Sequence, residues 1–314
     1  MNQNNNKNKK LNKIKRIFLG IAFIFIFLPC FLLTIGDGEN IPDWDDLFHY
    51  FDIAPVLEDE DFIRFIDIGQ GDSILISSNN QTALIDTGPP DSANELVKKL
   101  RMYGVEQIDM LFLTHIHSDH VGGAKELLNN FAVGNLIMPN IIDQPEGAED
   151  ALYAASTISE NYGEVYTAMQ GMVVNIGNFE ITILAYFPEL EVENDRSVIL
   201  MVKNKDFKFL MMGDAEAKAE KRLIAESLDL KCNVLKVGHH GSSTSTTMDL
   251  IEATMPEYAV ISCGYNNYFM HPHDETIGTL EKQHIEFYRT DSCGDVTCYI
   301  KDDKLDFKLT DKTK

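Results

Sequence analysis

One segment reads Leu113-Thr-His-Ile-His-Ser-Asp-His-Val-Gly-Gly123 and overlaps the end of the mainly apolar run Ile108–Leu113. Three histidines and a carboxylate within six residues form an array of metal-ligating side chains. Because His115 and His117 are two residues apart, an extended backbone points both in the same direction. Asp119 and His120 follow, at a turn toward a predicted helix. The loop is therefore predicted to serve two metal ions, with an imidazole pair for one and a carboxylate plus an imidazole for the other.

Further candidate ligands stand at the ends of other apolar runs. Asp214 follows the run Phe207–Gly213, and His239 and His240 follow the run 233–238. Strand ends place side chains rigidly around one crevice of an α/β protein. We therefore expect Asp214 and at least one of these two histidines to join the 115–120 loop in one metal site.

The N-terminal part has the composition of a membrane anchor. Residues 1–16 carry six Lys/Arg and no acidic residue, and 17–35 form a charge-free, almost continuous apolar run. That length suits a transmembrane helix of about 20 residues, and the basic flank predicts a cytoplasmic tail. We expect a single-pass protein of the cell membrane, with an acidic linker (36–60) and a hydrolase domain (61–314) outside the cytoplasm. A cleaved signal peptide is the alternative, although no A-x-A-like site follows the run.

The charge balance restricts the function classes. The chain has 27 Lys/Arg and 49 Asp/Glu, a net charge of −22, and without the six basic residues of 1–16 the balance is 21 against 49, or −28. An acidic surface repels polyanions and argues against a simple nucleic-acid-binding module, which would have a basic face. It does not exclude a metal-dependent enzyme, because two divalent ions restore positive charge at the site.

Five cysteines are too few for a disulfide framework in a chain of this length. Cys293 and Cys298 flank Gly-Asp-Val-Thr, a predicted hairpin turn. A local disulfide between them is one expectation. Zinc binding by the pair is disfavoured, because no further cysteine is near.

From Phe62 onward, short apolar runs alternate with turn residues and amphipathic segments. Strands are predicted over 62–68, 73–77, 82–86, 108–113, 135–138, 179–186, 197–203, 207–212, 233–237 and 258–262, with further strands at the end of the chain. Helices are predicted over 91–103, 122–131, 147–162, 215–227, 244–253 and 274–283. Because both kinds of element occur throughout one region, the layer rules favour an α/β (α+β) domain with two face-to-face sheets and outer helices. The ligand-bearing loops would converge at one edge of this sandwich.

The ligand array resembles that of the metallo-β-lactamase superfamily. Six segments are similar, in the same order, to the C-terminal domain of ComEC-type DNA-uptake proteins: Asp67-Ile-Gly-Gln-Gly-Asp72, Leu84-Ile-Asp86-Thr-Gly88, Met212-Gly-Asp214, Leu235-Lys-Val-Gly-His-His-Gly-Ser242, His271-Pro-His273 and Tyr288-Arg-Thr-Asp291. The resemblance covers roughly residues 61–310. It implies an αββα four-layer sandwich with a dinuclear hydrolytic centre.

Two departures from these families matter. ComEC-type proteins carry a polytopic membrane domain that forms a DNA channel, whereas one helix is predicted here, so this chain is not expected to conduct DNA by itself. Many superfamily members place a third histidine on one metal, but no histidine lies between His120 and His239, and Glu193–Ser197 occupies that region. One metal is then short of a ligand, which is similar to the ComEC branch and to cell-surface choline-phosphoesterases and argues against β-lactam hydrolysis.

The candidate ligands are assigned to two divalent metal ions. His/Asp sites accept zinc, manganese or iron, and the expected location outside the cytoplasm makes zinc the first choice and manganese the second. The expected ligands are His115 and His117 for the first ion, and Asp119, His120 and either His240 or His239 for the second. His240 is preferred, which leaves His239 for substrate contact. Asp214 would bridge both ions, since a carboxylate has two oxygens and a charge that offsets two cations.

Other residues are expected to act around these ligands. Asp86 is suited to accept the outer N–H of a ligand histidine and fix its tautomer, with turn capping as the alternative. Asp67 is a second candidate for that role, with capping favoured. The catalytic candidates are Asp119, which would orient a hydroxide held between the metals, His240 and His271. His271 would meet the leaving group or a phosphate oxygen, with a plain surface histidine as the alternative.

The leading expectation for function is a metal-dependent phosphodiesterase or nuclease acting on DNA. The first alternative is an esterase acting on phosphorylated cell-envelope polymers or small organophosphates, which the acidic surface favours. The second is a non-enzymatic accessory module in DNA uptake, which the intact ligand set disfavours. β-Lactamase activity is the least expected, and no protein partner is indicated.

Overall fold

The computed structural model describes Glu58 and residues 60–310, which belong to the second of two units of the chain, Pro55–Lys314. The predicted basic tail (1–16), the predicted transmembrane helix (17–35) and nearly all of the acidic linker (36–60) lie outside the described residues. The domain boundaries drawn from the sequence therefore stay predictions.

The predicted cell-membrane location needs correction. A membrane-spanning helix takes about 20 apolar residues. Within Glu58 and residues 60–310 the structure contains no helix long and apolar enough to cross a membrane. The run 17–35, on which the prediction was based, lies outside these residues. A single-pass protein with an extracytoplasmic domain is therefore not retained.

The strands of the described residues form two β-sheets. Their bounds are β1 (Phe62–Phe65), β2 (Ile74–Ser78), β3 (Gln81–Ile85), β4 (Gln107–Phe112), β5 (Ala132–Met138), β6 (Glu164–Thr167), β7 (Val173–Ile176), β8 (Phe179–Ala185), β9 (Ile199–Asn204), β10 (Phe207–Met211), β11 (Val234–Lys236), β12 (Tyr258–Ile261), β13 (Glu286–Arg289), β14 (Val296–Lys301) and β15 (Lys304–Leu309). The first sheet has eight strands in the order β15-β14-β1-β2-β3-β4-β5-β6. The second has seven, in the order β13-β12-β11-β10-β9-β8-β7.

The helices lie in the connections between the strands. Their bounds are α1 (Ala93–Met102), α2 (Ser118–Val121), α3 (Ala124–Asn130), α4 (Ala148–Glu160), α5 (Ala217–Ala225), α6 (Met248–Thr254), α7 (Asp274–Lys282) and α8 (Thr290–Cys293). Short 3-10 turns occupy Pro90–Ser92, Asn194–Arg196 and Gly238–Gly241.

Three apolar clusters hold the layers together. The central cluster joins the inner faces of the two sheets and includes Phe65 and Phe112 from the first and Phe179 and Phe209 from the second, all essentially inaccessible to solvent. Each such side chain contributes about 1.5–3 kcal/mol by leaving water. A second cluster packs α1, α3 and α4 on the outer face of the first sheet, and a third packs α5, α6 and α7 on the second. The predicted two-sheet sandwich is confirmed, with four layers in the order αββα.

The parallel part of each sheet positions the candidate site. Strands β3 to β6 are parallel in the first sheet and β10 to β13 in the second, while the remaining pairs are antiparallel. The carboxyl ends of neighbouring parallel strands lie at the same edge of a sheet. The loops after β3, β4, β10, β11 and β12 therefore leave from these edges. They carry the predicted ligands, together with Asp86 after β3 and His271 after β12.

Two local predictions differ from the structure. The edge strands β6 and β7 were not predicted. Each has only four residues, Glu-Val-Tyr-Thr and Val-Val-Asn-Ile, and most of their side chains are exposed, so neither shows the apolar run of a buried strand. The helix predicted over 122–131 is split into α2 and α3 at Gly122 and Gly123. A Cβ at Gly123 would lie 2.2 Å from the carbonyl oxygen of Thr87, so the close approach of these two backbones requires glycine.

The disulfide that the spacing of Cys293 and Cys298 allowed is not formed. Cys293 and Cys298 are both free thiols, as are Cys232 and Cys263. The segment predicted as a hairpin turn instead leaves α8, a short helix ending at Cys293, and Cys298 is buried in β14 against the central cluster. The helix takes the place of the hairpin arm that would have set the two sulfurs opposite each other.

Candidate metal centre

The predicted ligands come together at the carboxyl ends of the parallel strands. The loop after β4 carries residues 115–120, the turn after β10 carries Asp214, and the turn after β11 carries His239 and His240. The ring centroids of His120 and His115 are 4.1 Å apart, and those of His120 and His240 are 5.3 Å apart. Both sheets therefore contribute histidines to one cluster.

Asp214 lies at the centre of this cluster and is 1% exposed. Its Oδ1 is 3.2 Å from Nε2 of His120, and its Oδ2 is 3.3 Å from Nε2 of His240. The same Oδ2 is 3.9 Å from Nε2 of His115 and 3.9 Å from Nε2 of His239. The two oxygens thus face different imidazoles, which is the placement expected of a carboxylate that bridges two cations.

His120 contacts Asp86, the residue expected to fix the tautomer of a ligand histidine. Oδ2 of Asp86 is 2.8 Å from Nδ1 of His120 and accepts its N–H. The carboxylate also accepts the Thr114 backbone N–H at 2.8 Å and the Thr114 hydroxyl at 2.6 Å. With Nδ1 occupied in this way, Nε2 of His120 is the nitrogen turned toward Asp214.

His240 and His239 occupy different positions around Asp214. His240 is buried, its Nδ1 donates to the Ser262 carbonyl at 3.0 Å, and its Nε2 faces the carboxylates. The His239 side chain is 23% exposed, and its Nδ1 lies 3.0 Å from Glu216. Both histidines have positive φ angles of 53° and 45°, a conformation that costs a non-glycine residue about 1–3 kcal/mol and is concentrated at functional sites.

His115, His117 and Asp119 complete the cluster on the side of β4. Nε2 of His115 and Nδ1 of His117 are 3.1 Å apart, and His115 is fully buried. Oδ2 of Asp119 lies 3.2 Å from Nε2 of His240, and the Asp119 side chain remains 28% exposed. Asp119 therefore lies between the buried histidines and the solvent-exposed side of the cluster.

Two charged residues of the centre were not predicted from the sequence. Lys236, at the end of β11, is fully buried and forms an ion pair with Asp72, and its Nζ also donates to the Gly213 carbonyl at 3.1 Å. The turn that carries Asp72 packs on the metal loop so closely that a Cβ at Gly71 would lie 2.3 Å from the Asp119 carbonyl oxygen. The signal in the sequence is a lysine inside the apolar run Val234–Val237, since a buried charge requires a partner.

The arrangement of buried donor atoms fits a divalent cation. Asp72, His120, Asp214 and His240 each bring one ligand atom to within 4.8 Å of the others. Nε2 of His120 and Oδ1 of Asp214 are buried without a hydrogen-bond partner, although they lie 3.2 Å apart. Buried polar atoms left unpaired are costly, and imidazole with carboxylate is a ligand set for zinc, manganese and iron. A cation between the two atoms would satisfy both.

The ionisable side chains of the site form a compact cluster of opposite charges. Burial by itself would raise the pKa of Asp214, but His240 and His120 hold this pKa well below its usual range. Burial would lower the pKa of His240, yet Asp214 and the contact with Asp119 raise it to about 10. The pKa of Lys236 is raised, because Asp72 and Asp214 outweigh its burial. Positive charge at the centre is therefore stabilised by the surrounding carboxylates.

The remaining site candidates lie beside the cluster. His271 is on the loop after β12, with its ring centroid 5.3 Å from that of His239, and burial followed by the charges of His239 and His240 lowers its pKa to about 4. Asp67 lies on the turn after β1, where its carboxylate accepts the Gly69 N–H at 3.4 Å. Asn194, in the region that lacks a third histidine, places its side-chain nitrogen 3.4 Å from Nδ1 of His239.

The fold and the donor set define the class of protein. Residues 66–265 match the Metallo-beta-lactamase superfamily, and this stretch contains every candidate ligand. The chain therefore belongs to the metallo-β-lactamase superfamily.

Curated relatives narrow the resemblance to competence proteins of the ComEC type. ComE operon protein 3 of Bacillus subtilis is 33% identical over 264 residues, which cover 78% of this chain and 34% of that protein. Competence protein ComA of Neisseria gonorrhoeae is 33% identical over 270 residues, 84% of this chain and 36% of that protein. Recombination protein 2 of Haemophilus influenzae is 28% identical over 308 residues, 96% of this chain and 35% of that protein. The chain spans about a third of the length of these relatives.

Solved structures agree on the fold. YhfI of Bacillus subtilis, a metallo-β-lactamase fold protein, matches with a TM-score of 0.50 and 10% identity over 73% of this chain and 96% of that one. A variant of the β-hydroxylase CmlA matches with a TM-score of 0.51 and 14% identity over 83% of this chain and 60% of that one. At these identities the likeness concerns the fold alone.

Proposed function

We propose that the chain is a dinuclear metal-dependent hydrolase of phosphodiester bonds. The observation that carries the proposal is the position of Asp214, whose Oδ1 lies 3.2 Å from Nε2 of His120 and whose Oδ2 lies 3.9 Å from Nε2 of His115. A buried carboxylate between imidazoles on both sides is suited to two cations rather than one. Membership of a superfamily of metal-dependent hydrolases and the competence-protein relatives support the assignment.

The described contacts favour one distribution of ligands. His115 and His117 would hold the first cation, Asp119, His120 and His240 the second, and Asp214 both. His240 is preferred over His239 because its Nε2 approaches two carboxylates. Asp72 is less suited than Asp119 to bind the second cation, because it already neutralises the Lys236 ammonium. Zinc is the first choice of metal and manganese the second.

The chemistry divides between the metal ions and the side chains. When bound, two divalent cations supply an activated water and Lewis-acid stabilisation of the phosphoryl oxygens. Asp119, the ligand that reaches the crevice, orients the attacking water by accepting its hydrogen bond. His271, beside His239, contacts a phosphoryl oxygen or the leaving group. Asp86 keeps Nε2 of His120 available by binding its Nδ1–H.

The proposed substrate is a DNA strand, on the support of the competence relatives. The net charge of −22 favours a second candidate, a phosphoester that is small or part of a cell-envelope polymer, because long polyanions are repelled. The dependence of the hydrolysis rate on salt concentration distinguishes these two substrates. Cleavage of DNA should weaken steeply as salt screens the phosphate contacts, whereas cleavage of a small ester should change little.

The test is turnover by the purified full-length chain, loaded with zinc or manganese. The substrates are bis-p-nitrophenyl phosphate, single-stranded DNA and a chromogenic β-lactam, with Asp214→Asn as the matched variant. We expect hydrolysis of the first two, with at least about 10²-fold loss in the variant, comparable to the loss of one transition-state stabilising group. Cleavage of the small ester alone would move the substrate to the second candidate. Hydrolysis of the β-lactam alone would contradict the proposal.

A further inference from the structure

Gln70 links the turn between β1 and β2 to the loop that carries His271. Its side-chain oxygen accepts the Gly264 backbone N–H at 3.1 Å. Its side-chain nitrogen lies 3.3 Å from Nδ1 of His271. The Gln70 side chain therefore connects two segments that are distant in the sequence. These segments meet at the edge of the candidate metal centre.

The Gly264 N–H fixes the orientation of this amide. A backbone N–H only donates, so the Gln70 atom that faces it is the oxygen, and the NH2 group faces His271. An amide NH2 also only donates, so Nδ1 of His271 accepts and carries no proton. A neutral imidazole has one N–H, and in His271 that N–H is on Nε2. Unlike most histidine assignments, this one follows from a donor whose hydrogen is certain.

The rest of the His271 environment holds its position. Asn267 accepts the His271 backbone N–H at 3.0 Å and donates to its carbonyl at 2.6 Å. The ring stacks on Phe269 at a centroid distance of 5.7 Å and meets His239 edge-on at 5.3 Å. Backbone and ring packing thus fix where the ring lies, while the contact with Gln70 selects which nitrogen carries the proton.

We propose that Gln70 is a positioning residue that holds His271 as the neutral Nε2–H tautomer, so that this N–H donates to a phosphoryl oxygen of the substrate. The donation to substrate rests on the proposed function, whereas the tautomer does not. In this role His271 donates a hydrogen bond and keeps its proton. No bond to hydrogen is broken, and the N–H stabilises negative charge that develops on the oxygen.

Gln70→Glu is the sharpest variant, because it preserves the side-chain shape and reverses one hydrogen bond. One carboxylate oxygen can still accept the Gly264 N–H, but the other now accepts where an NH2 group donated. Nδ1 of His271 must then carry a proton. Gln81→Glu is a matched control, since the Gln81 oxygen also accepts a backbone N–H, from Gly177 at 2.8 Å, outside the metal centre.

The first readout is the ring-nitrogen NMR spectrum of the metal-free full-length chain, with His271 signals assigned by their loss in His271→Gln. We expect a proton on Nε2 alone in the wild type and in Gln81→Glu, and a proton on Nδ1 in Gln70→Glu. A proton on Nδ1 in the wild type overturns the proposal, whatever the enzyme hydrolyses.

The second readout is hydrolysis of bis-p-nitrophenyl phosphate. We expect Gln70→Glu and His271→Ala each to lower kcat by roughly 10–10²-fold with a small change in KM, and the double variant to lose no more than either alone. An unchanged kcat in Gln70→Glu, despite the altered tautomer, overturns the donation to substrate. A wild type with the expected tautomer and no phosphodiesterase activity refutes the proposed function and leaves the positioning role of Gln70 supported.

Discussion

Asp86 accepts a hydrogen bond from Nδ1 of His120 at 2.8 Å, and both side chains are completely buried. Asp86 achieves this from a left-handed backbone conformation, with φ of 60°, at the point where β3 ends. The strained residue directs its carboxylate across to the loop after β4 and fixes the tautomer of a candidate ligand. Outer contacts of this kind set the orientation and basicity of metal-binding histidines.

Replacing Asp86 by Asn should weaken metal binding more than it weakens the fold. The amide offers one acceptor oxygen in place of two, so either His120 or Thr114 loses its partner. Changes to such outer partners cost about 10–100-fold in metal affinity. Competition with a chromogenic chelator measures the affinity. Asp109→Asn is the control, because Asp109 accepts the Thr82 N–H at 2.7 Å between β4 and β3, away from the site. Equal affinities in the two variants would contradict the orienting role.

Replacing Lys236 by Met should destabilise the metal-free protein by about 3–5 kcal/mol, since it leaves the buried Asp72 carboxylate unpaired. The double variant with Asp72→Asn should recover most of this loss. Urea unfolding in the presence of a chelator gives the free energies of unfolding. The control, Lys208→Met, removes a partly exposed ion pair with Asp229 and should change stability by no more than about 1 kcal/mol. A loss in Lys236→Met no larger than in this control would show that the buried pair is not structural.

Asp61 should make the free energy of unfolding decrease at acidic pH. It accepts hydrogen bonds from Ser78 of the first sheet and Asn204 of the second, at 2.6 and 2.9 Å. Burial raises its pKa, but the hydrogen bonds from Ser78, Asn204 and Asn178 outweigh burial and lower the pKa below its usual value of 3.8. A carboxyl with a lowered folded-state pKa contributes stability above its unfolded pKa and loses it as pH falls through the folded value. The advantage of the wild type over Asp61→Asn in urea unfolding should therefore be full at pH 6 and shrink below about pH 4. An advantage independent of pH would contradict this.

Substitution of the adjacent residues His239 and His240, one at a time, should distinguish metal binding from substrate contact. His240→Ala should lower metal affinity by more than the roughly 10–100-fold of an outer-partner change, because a ligand itself is lost. His239→Ala should retain the metal content and alter the kinetics of hydrolysis. Elemental analysis after dialysis, together with kcat and KM, distinguishes the two effects. Loss of metal in His239→Ala with retention in His240→Ala would reverse the assignment.

The layer structure could be predicted because its strands are encoded locally. Continuous apolar runs such as Ile199–Val202 are typical of strands buried on both faces. The positions of Asp214 and His240 at one cluster were also predictable, because strand ends fix side-chain position. Membership in a known superfamily then followed from the order of the segments.

The polar support of the site could not be predicted, because it depends on contacts between distant segments. Asp72 is a plain turn residue by sequence, and only the packing of its turn on the Asp119 backbone brings it to Lys236. Gln70 gives no local signal either, since its two partners lie on the loop after β12. The disulfide prediction failed for a related reason. Spacing alone did not reveal that Cys293 ends a short helix.

Joint action of two cations in the hydrolysis of a phosphodiester can be tested by metal titration. The chain is stripped with a chelator, zinc or manganese is added in measured equivalents, and hydrolysis of bis-p-nitrophenyl phosphate is followed. We expect a rate that rises until two equivalents are bound, and no such rise in Asp214→Asn. A chain that binds two equivalents without hydrolysing the ester, or that reaches its full rate at one, would contradict joint action.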